Sequence, residues 1–180
     1  IAPGINSPGI LNLDNYYQQD AGATLKIDVY GSNAYDKLNM FSAIIAGNLE
    51  VTLQSGFTPT YSTQLYIVQA NQHITGGFAN LDANSRITTT GGEGSFLVGV
   101  AYSFIYLYGF SPTGDFNHNG TVDAADYVVW RKNVDGVYTP IDYDVWRAHF
   151  GQASGGDSNA VTNAAVPEPA IVVTLVAGTG

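Results

Sequence analysis

The chain contains no cysteine, which excludes a disulfide scaffold and a thiolate metal centre. Cationic side chains are scarce as well: 6 Lys and Arg stand against 15 Asp and Glu, a formal net charge of −9 over 180 residues. Because Lys and Arg carry most nucleic-acid affinity, this balance argues against a phosphate-backbone binder and favours a cation as partner. Charged residues make up only 12% of the chain, too few for a charge-laced helical protein, and 45% hydrophobic residues are enough for a buried core. No apolar run is long enough for a bilayer. The C-terminal stretch from Ala170 to Ala177 falls well short of the roughly 20 residues needed, and the chain reads as a piece of something longer, with Ile1 as a cut edge.

Catalytic signatures are also missing. There is no Gly-x-Ser-x-Gly elbow, no Gly-rich phosphate loop and no His-Glu-x-x-His, and the three histidines (His73, His118, His149) are scattered. The carboxylates of Asp28 and Glu50, on the polar faces of matching strands, would imitate a glycosidase pair only if they met on adjacent rungs; outward solvated charges are the simpler account. The expectation is a non-catalytic chain.

What is present begins with period-two alternation. Leu25, Ile27 and Val29 face one way within Thr24 to Val29, and Leu49, Val51 and Leu53 do the same within Asn48 to Leu53. The two strands lie 24 residues apart, each after a small-residue turn, and Gly9 to Leu13 looks like an earlier copy. Further strands are expected at Gln64 to Gln69, His73 to Ala79 and Ser95 to Tyr108, with no helical periodicity before residue 122. Residues 1–110 therefore read as a mainly β domain. Two architectures fit it: the terminal coils of a right-handed β-helix, with earlier coils upstream, or a small β-sandwich. The aromatic series Tyr102, Phe104, Tyr106 and Tyr108 fits a cross-strand ladder at the end of that domain, with stacking on sugar rings as the alternative.

The densest chemistry lies at residues 115–126. Asp115, Asn117, Asn119, Asp123 and Asp126 occupy the first, third, fifth, ninth and twelfth places, Gly120 the sixth, and Thr121 offers its carbonyl from the seventh. A hard cation such as calcium takes six or more oxygens at about 2.4 Å, and the turn that folds the third and fifth ligands inward needs a residue tolerant of positive φ. Val122 is the apolar eighth residue. His118, in the fourth place, is expected to point away from the ion into solvent. One calcium ion is expected.

After the loop, Asp126-Tyr127-Val128-Val129-Trp130-Arg131 recurs as Asp142-Tyr143-Asp144-Val145-Trp146-Arg147, identical at five of six positions. A calcium loop, a short helix and a second copy of that helix resemble a type I dockerin domain of the abbreviated kind in planctomycete-type surface proteins, over about residues 114–151 of a module read as residues 111–151. The second copy departs from the pattern. Arg131 stands where its first aspartate belongs, although Asn133, Asp135, Gly136 and Asp142 keep ligand and turn places. The resemblance implies a cohesin-like partner, yet Ala124 and Ala125, at the partner-selecting positions, offer it no hydrogen bonds. Trp130 and Trp146 are expected to pack together with Tyr127, Tyr143, Val129 and Val145 in a miniature core that the ion completes.

Residues 9–110 resemble the C-terminal stretch of autotransporter-like β-helix passengers, on Tyr35-Asp36-Lys37-Leu38, Gly47-Asn48-Leu49-Glu50-Val51, Gly56-Phe57-Thr58-Pro59 and Ile74-Thr75-Gly76-Gly77-Phe78. Residues 152–165 read as a flexible linker, and Val166-Pro167-Glu168-Pro169 ahead of the apolar run, in residues 166–180, resembles a truncated PEP-CTERM sorting signal. That resemblance implies exosortase processing, membrane contact only through the tail, and a secreted protein kept in the cell envelope or extracellular matrix. Together these readings imply a non-catalytic, surface-anchored fragment whose module serves attachment or stabilisation. The alternative is the cap and docking module of an extracellular polysaccharide-degrading β-helix enzyme whose catalytic part lies upstream. A polysaccharide is a further expected partner.

Overall fold

The computed structural model describes residues 1–54, 56–133 and 136–156; the expected sorting signal and most of the expected linker lie outside them. The described fold is mainly β. Three successive strands, β1 (Ile10–Asn12), β2 (Tyr16–Gln18) and β3 (Thr24–Gly31), enter three different sheets. The two-residue strand β4 (Ala34–Tyr35) folds back on β3, and then β5 (Lys37–Met40), β6 (Ser42–Ile45) and β7 (Asn48–Leu53) pair in parallel with β1, β2 and β3 in turn. β8 (Leu65–Ala70) and β9 (Ile74–Gly76) add a third level, again parallel, to β5 and β6.

Period-two patterning drives this stacking. Thr24 pairs with Asn48, so the 24-residue offset sets Leu25, Ile27 and Val29 beside Leu49, Val51 and Leu53, and all but Leu53 are essentially inaccessible. Every second side chain then adds to a central core that also takes Leu38, Ala43, Ile45, Leu65 and Ile67. Corners stack as well. The Gly47 amide plane bridges two levels, and with φ of +71° and a Cβ position 2.4 Å from the Ala23 carbonyl oxygen, only glycine fits there. Among the described residues no strand pairs with the far side of β7. The Asn80 side chain takes that place: its Oδ1 accepts from the Leu49 amide at 2.9 Å and its Nδ2 donates to the Leu49 carbonyl at 2.8 Å.

The first sheet then changes direction. On the open side of β8 it is continued by the antiparallel strands β12 (Phe104–Pro112), β11 (Gly94–Val100) and β10 (Arg86–Thr88), in the order β1-β5-β8-β12-β11-β10. Two expectations are corrected here. Ser95 to Tyr108 is two strands joined around Tyr102, because a hairpin lets both faces of the sequence alternate into one core. Gly9 to Leu13 is not a copy of β3: it forms β1 and pairs with β5, on a different sheet.

β12 delivers the chain to the 115–126 loop and the helices α1 (Ala124–Lys132) and α2 (Pro140–His149). Trp130 and Trp146 do not stack on each other. Each packs instead against Tyr127 and Tyr143, with centroid distances of 5.1 to 5.6 Å, and Trp146 alone is fully buried. Residues 152–156, expected as the start of a linker, are paired. Gln152 and Ser154 bond the backbone of Val122 and Gly120 about a Thr121–Ala153 bridge, because the backbone groups of the buried Val122 need partners away from water. Among the described residues no helix is long and apolar enough to cross a membrane.

Gly99 lies under the Tyr106 ring, and a Cβ there would come within 2.3 Å of it. Gly99→Ala is expected to cost about 1–3 kcal/mol in denaturant unfolding, and Gly99→Ala with Tyr106→Ala to recover most of it. An unchanged single variant would contradict this packing.

Candidate functional site

The 115–126 loop is built around two inaccessible carboxylates, Asp115 and Asp126. Asp115 Oδ1 accepts from the Asn119 amide at 3.1 Å and Oδ2 from the Gly120 amide at 2.8 Å, which closes the first half of the loop into a ring. Gly120 holds φ of +92° with Ser154 and Tyr61 packed against it, so the sixth place requires glycine on both backbone and steric grounds. Asn117 Oδ1 and Asn119 Oδ1 each accept from the amide two residues ahead, at 2.9 Å in both cases, in successive Asx turns. Asp126 ties the two ends together, taking the Asn117 amide at 2.9 Å and the Asp123 amide at 2.8 Å.

Asp123 is the N-cap of α1: its side chain accepts from the Ala125 amide at 2.7 Å, and with Asp126 it forms a reciprocal capping box. The Asp123 carbonyl accepts the Trp146 indole at 2.8 Å, which locks α2 onto the loop. Val122 is buried, as its place requires. The Thr121 carbonyl accepts no hydrogen bond among the described residues, and is available to a cation.

Burial pushes the Asp126 carboxyl above its ordinary value, and the charges of Asp115 and Asp123 push the same way, against the two backbone amides that favour its ionised form. Among the described residues no three His, Cys, Asp or Glu side chains gather closely enough to hold a metal by themselves. An ion here would have to draw on mixed oxygen donors: the carboxylates of Asp115, Asp123 and Asp126, the amide oxygens of Asn117 and Asn119, and the Thr121 carbonyl. That set is chemically suited to a hard cation. The corresponding places of the second copy are otherwise engaged. The Asn133 side chain closes the turn to Tyr138, and Asp142 accepts from the Thr139 amide and hydroxyl at the start of α2. Asp135 lies outside the described residues.

Three contacts were not legible in the sequence. Ser111 donates its hydroxyl to Asp115 Oδ2 at 3.0 Å. Ser154 Oγ accepts from the Tyr61 amide at 2.9 Å and joins the segment after α2 to the β region. Arg86 is buried and donates to Ser95 Oγ, the Ser95 carbonyl and the Gly109 carbonyl at 2.7 to 2.8 Å, pinning the strand that leads into the loop. A lone arginine in an apolar strand was the only available signal. His118 is not in open solvent as expected. Its Nδ1 lies 2.9 Å from Ser111 Oγ and the ring is half-buried, because φ of +58° turns the fourth residue back onto the sheet. Glu50 and Asp28 do not pair either: Glu50 meets Lys26 at 2.9 Å, and Asp28 receives the Gln54 amide.

No protein-family model, curated protein or solved structure matches the chain.

Burial, reinforced by the Arg86 charge, holds the His118 imidazole below the ordinary histidine value of 6.5, so the folded chain binds this proton less tightly than the unfolded chain. The stability involved is complete above pH 6.5 and falls as the pH drops through the lower folded value. Thermal unfolding at pH 7 and pH 5 is expected to show a smaller acid-induced loss in His118→Gln than in the parent. Equal losses would refute the assignment.

Proposed function

We propose that this chain is a non-catalytic part of a secreted, surface-attached protein, in which a β-helical scaffold carries one calcium-stabilised, dockerin-like helical hairpin. The observation that carries the reading is the pair of buried carboxylates, Asp115 and Asp126, in a loop whose Asn and carbonyl oxygens complete a hard-cation donor set. Two like charges withdrawn from water without a cation cost several kcal/mol, and an ion between them reverses that cost. Asp115, Asn117, Asn119, Thr121, Asp123 and Asp126 would hold it. The ion supplies charge compensation and rigidity; the chain orients the loop through Gly120, Ser111 and the capping box. The commitment of Asn133 and Asp142 to turn and cap supports one ion.

The parallel stacking of β1, β5 and β8, of β2, β6 and β9, and of β3 and β7 supports successive coils over a sandwich. Attachment to a protein partner is the use proposed for the hairpin. A cohesin-like partner would meet Ala124 and Ala125 there, so it would have to rely on apolar contact. Residues 166–180 are read as a sorting signal for exosortase on sequence alone, which places the protein in the cell envelope or extracellular matrix.

Calorimetric titration of the full 180-residue chain with calcium is expected to give one site and a higher melting temperature. Asp115→Ala and Asp126→Ala should each weaken binding at least ~100-fold, about 2.8 kcal/mol. Absence of heat and of any thermal shift at millimolar calcium would sink the proposal.

A further inference from the structure

The outer face of the six-stranded sheet carries a second constellation, remote in character from the acidic loop. Leu65, Ile67, Ile105 and Leu107 point inward and are inaccessible, so Tyr66, Gln69, Phe104, Tyr106 and Tyr108 point outward from β8 and β12. Tyr66 and Tyr106 lie 5.7 Å apart, and Tyr106 and Tyr108 lie 5.3 Å apart, each pair inclined by 37°. The rings form a shallow, gently twisted row with centroid spacings comparable to one sugar unit. The Tyr106 ring lies across the backbone of Gly99 on the neighbouring strand, so one face is covered and the other is turned outward. A row of upright rings would serve only as a ladder; a ring laid flat on glycine presents a surface.

Two depressions adjoin on this face. One of about 500 Å³ is bounded by Tyr66, Phe104, Tyr106 and Gln64, and one of about 360 Å³ by Asn12, Asn39 and Asn71; Gln69 belongs to both. Aromatic surface therefore runs into a patch of amides. Among the described residues the hydroxyls of Tyr66, Tyr106 and Tyr108 and the side-chain amides of Gln64, Gln69 and Asn71 make no hydrogen bond within the protein, while Asn12 and Asn39 bond each other at 2.8 Å. Charge is nearly absent. Asp14 is the single acid of the two depressions, in a chain with 15, and Lys37, their single base, is already seated over the Tyr35 ring at 4.6 Å.

Rings that offer an open apolar face, next to uncommitted hydroxyls and amides and without net charge, match a ligand that has apolar C–H faces and many neutral hydroxyls. We propose that this face, from Asn12 and Asn39 through Gln69 to Tyr66 and Tyr106, is a binding groove for a neutral polysaccharide chain. A nucleic acid or acidic glycan lacks its cations here, and a cationic peptide lacks its acids. The groove owes nothing to the 115–126 loop, so it stands whether or not that loop binds calcium.

Affinity electrophoresis of the full chain tests it, in native gels cast with mixed-linkage β-glucan, arabinoxylan or galactomannan, and with alginate or polygalacturonate as anionic controls. Retardation is expected in at least one neutral gel, unchanged by EDTA. Tyr66→Ala and Gln69→Ala should each weaken it at least tenfold, while Tyr66→Phe, which keeps the ring, loses less. Circular dichroism checks that each variant folds, and Gln69→Ala, at an exposed position common to both depressions, carries the test if Tyr66→Ala does not fold. Unaltered mobility in all three neutral gels, retardation confined to the anionic gels, or retardation that these variants leave intact would each overturn the proposal. So would a concentration-dependent dimer that the same substitutions abolish, which would make the face a contact between two copies.

Discussion

The Asp115 carboxylate is the point through which the described parts of the molecule are connected. It sits just beyond the last strand, which ends at Pro112, and receives the Ser111 hydroxyl from that strand and the Asn119 and Gly120 amides from the loop it begins. Remove its charge or its length and the turn at Gly120 loses the acceptor that closes it. Gly120 in turn holds the bridge to Ser154, and Ser154 holds Tyr61 of the β region. The loop is thus not a bead on a string after the sheet. It is tied into it at both ends, and an ion that orders the loop would stiffen the junction as well.

That arrangement gives an acidic chain a physical use for some of its surplus. Asp115 and Asp126 are inaccessible and accept hydrogen bonds only from amides and a hydroxyl, and the buried Arg86 guanidinium is a cation near enough to act on Asp115. Elsewhere acids behave conventionally. Glu50 meets Lys26 across two rungs, and Asp36, though buried, accepts from the Gly9 and Asp28 amides and so clamps the N-terminal segment against β3. The β region and the loop solve the same problem, holding backbone without regular partners, with the same device: a side-chain oxygen aimed at an amide. Asn80 beside β7 is a third example.

The outer face of the large sheet shows how position assigns roles to a single sequence pattern. Alternation along β12 sends Ile105 and Leu107 into the core and Tyr106 and Tyr108 outward. Whether outward aromatics are a ladder or a platform depends on their neighbours, and here the neighbour is Gly99, which lets a ring lie flat. The proposed groove and the proposed calcium loop use opposite chemistries on one scaffold, neutral surface in one place and concentrated carboxylate in the other.

Much of this was present in local order. The 24-residue offset between Leu25 and Leu49 is the register of β3 on β7, because period-two alternation allows a buried face only one way to stack. The spacing of Asp115, Asn117, Asn119, Gly120 and Asp123 dictated a closed loop leading into a helix, since Asx turns, positive φ and N-capping are all settled within a few residues. What local order did not contain was partnership at a distance. Nothing in Gln152 to Ser154 marks it as the strand that faces Val122, nothing in Ser111 marks it as a donor to Asp115, and Gly9 to Leu13 copies the pattern of β3 yet joins another sheet. Short polar or weakly alternating segments have no strong face of their own, so which backbone they pair with is decided only when the rest of the chain has packed and left particular amides and carbonyls without partners.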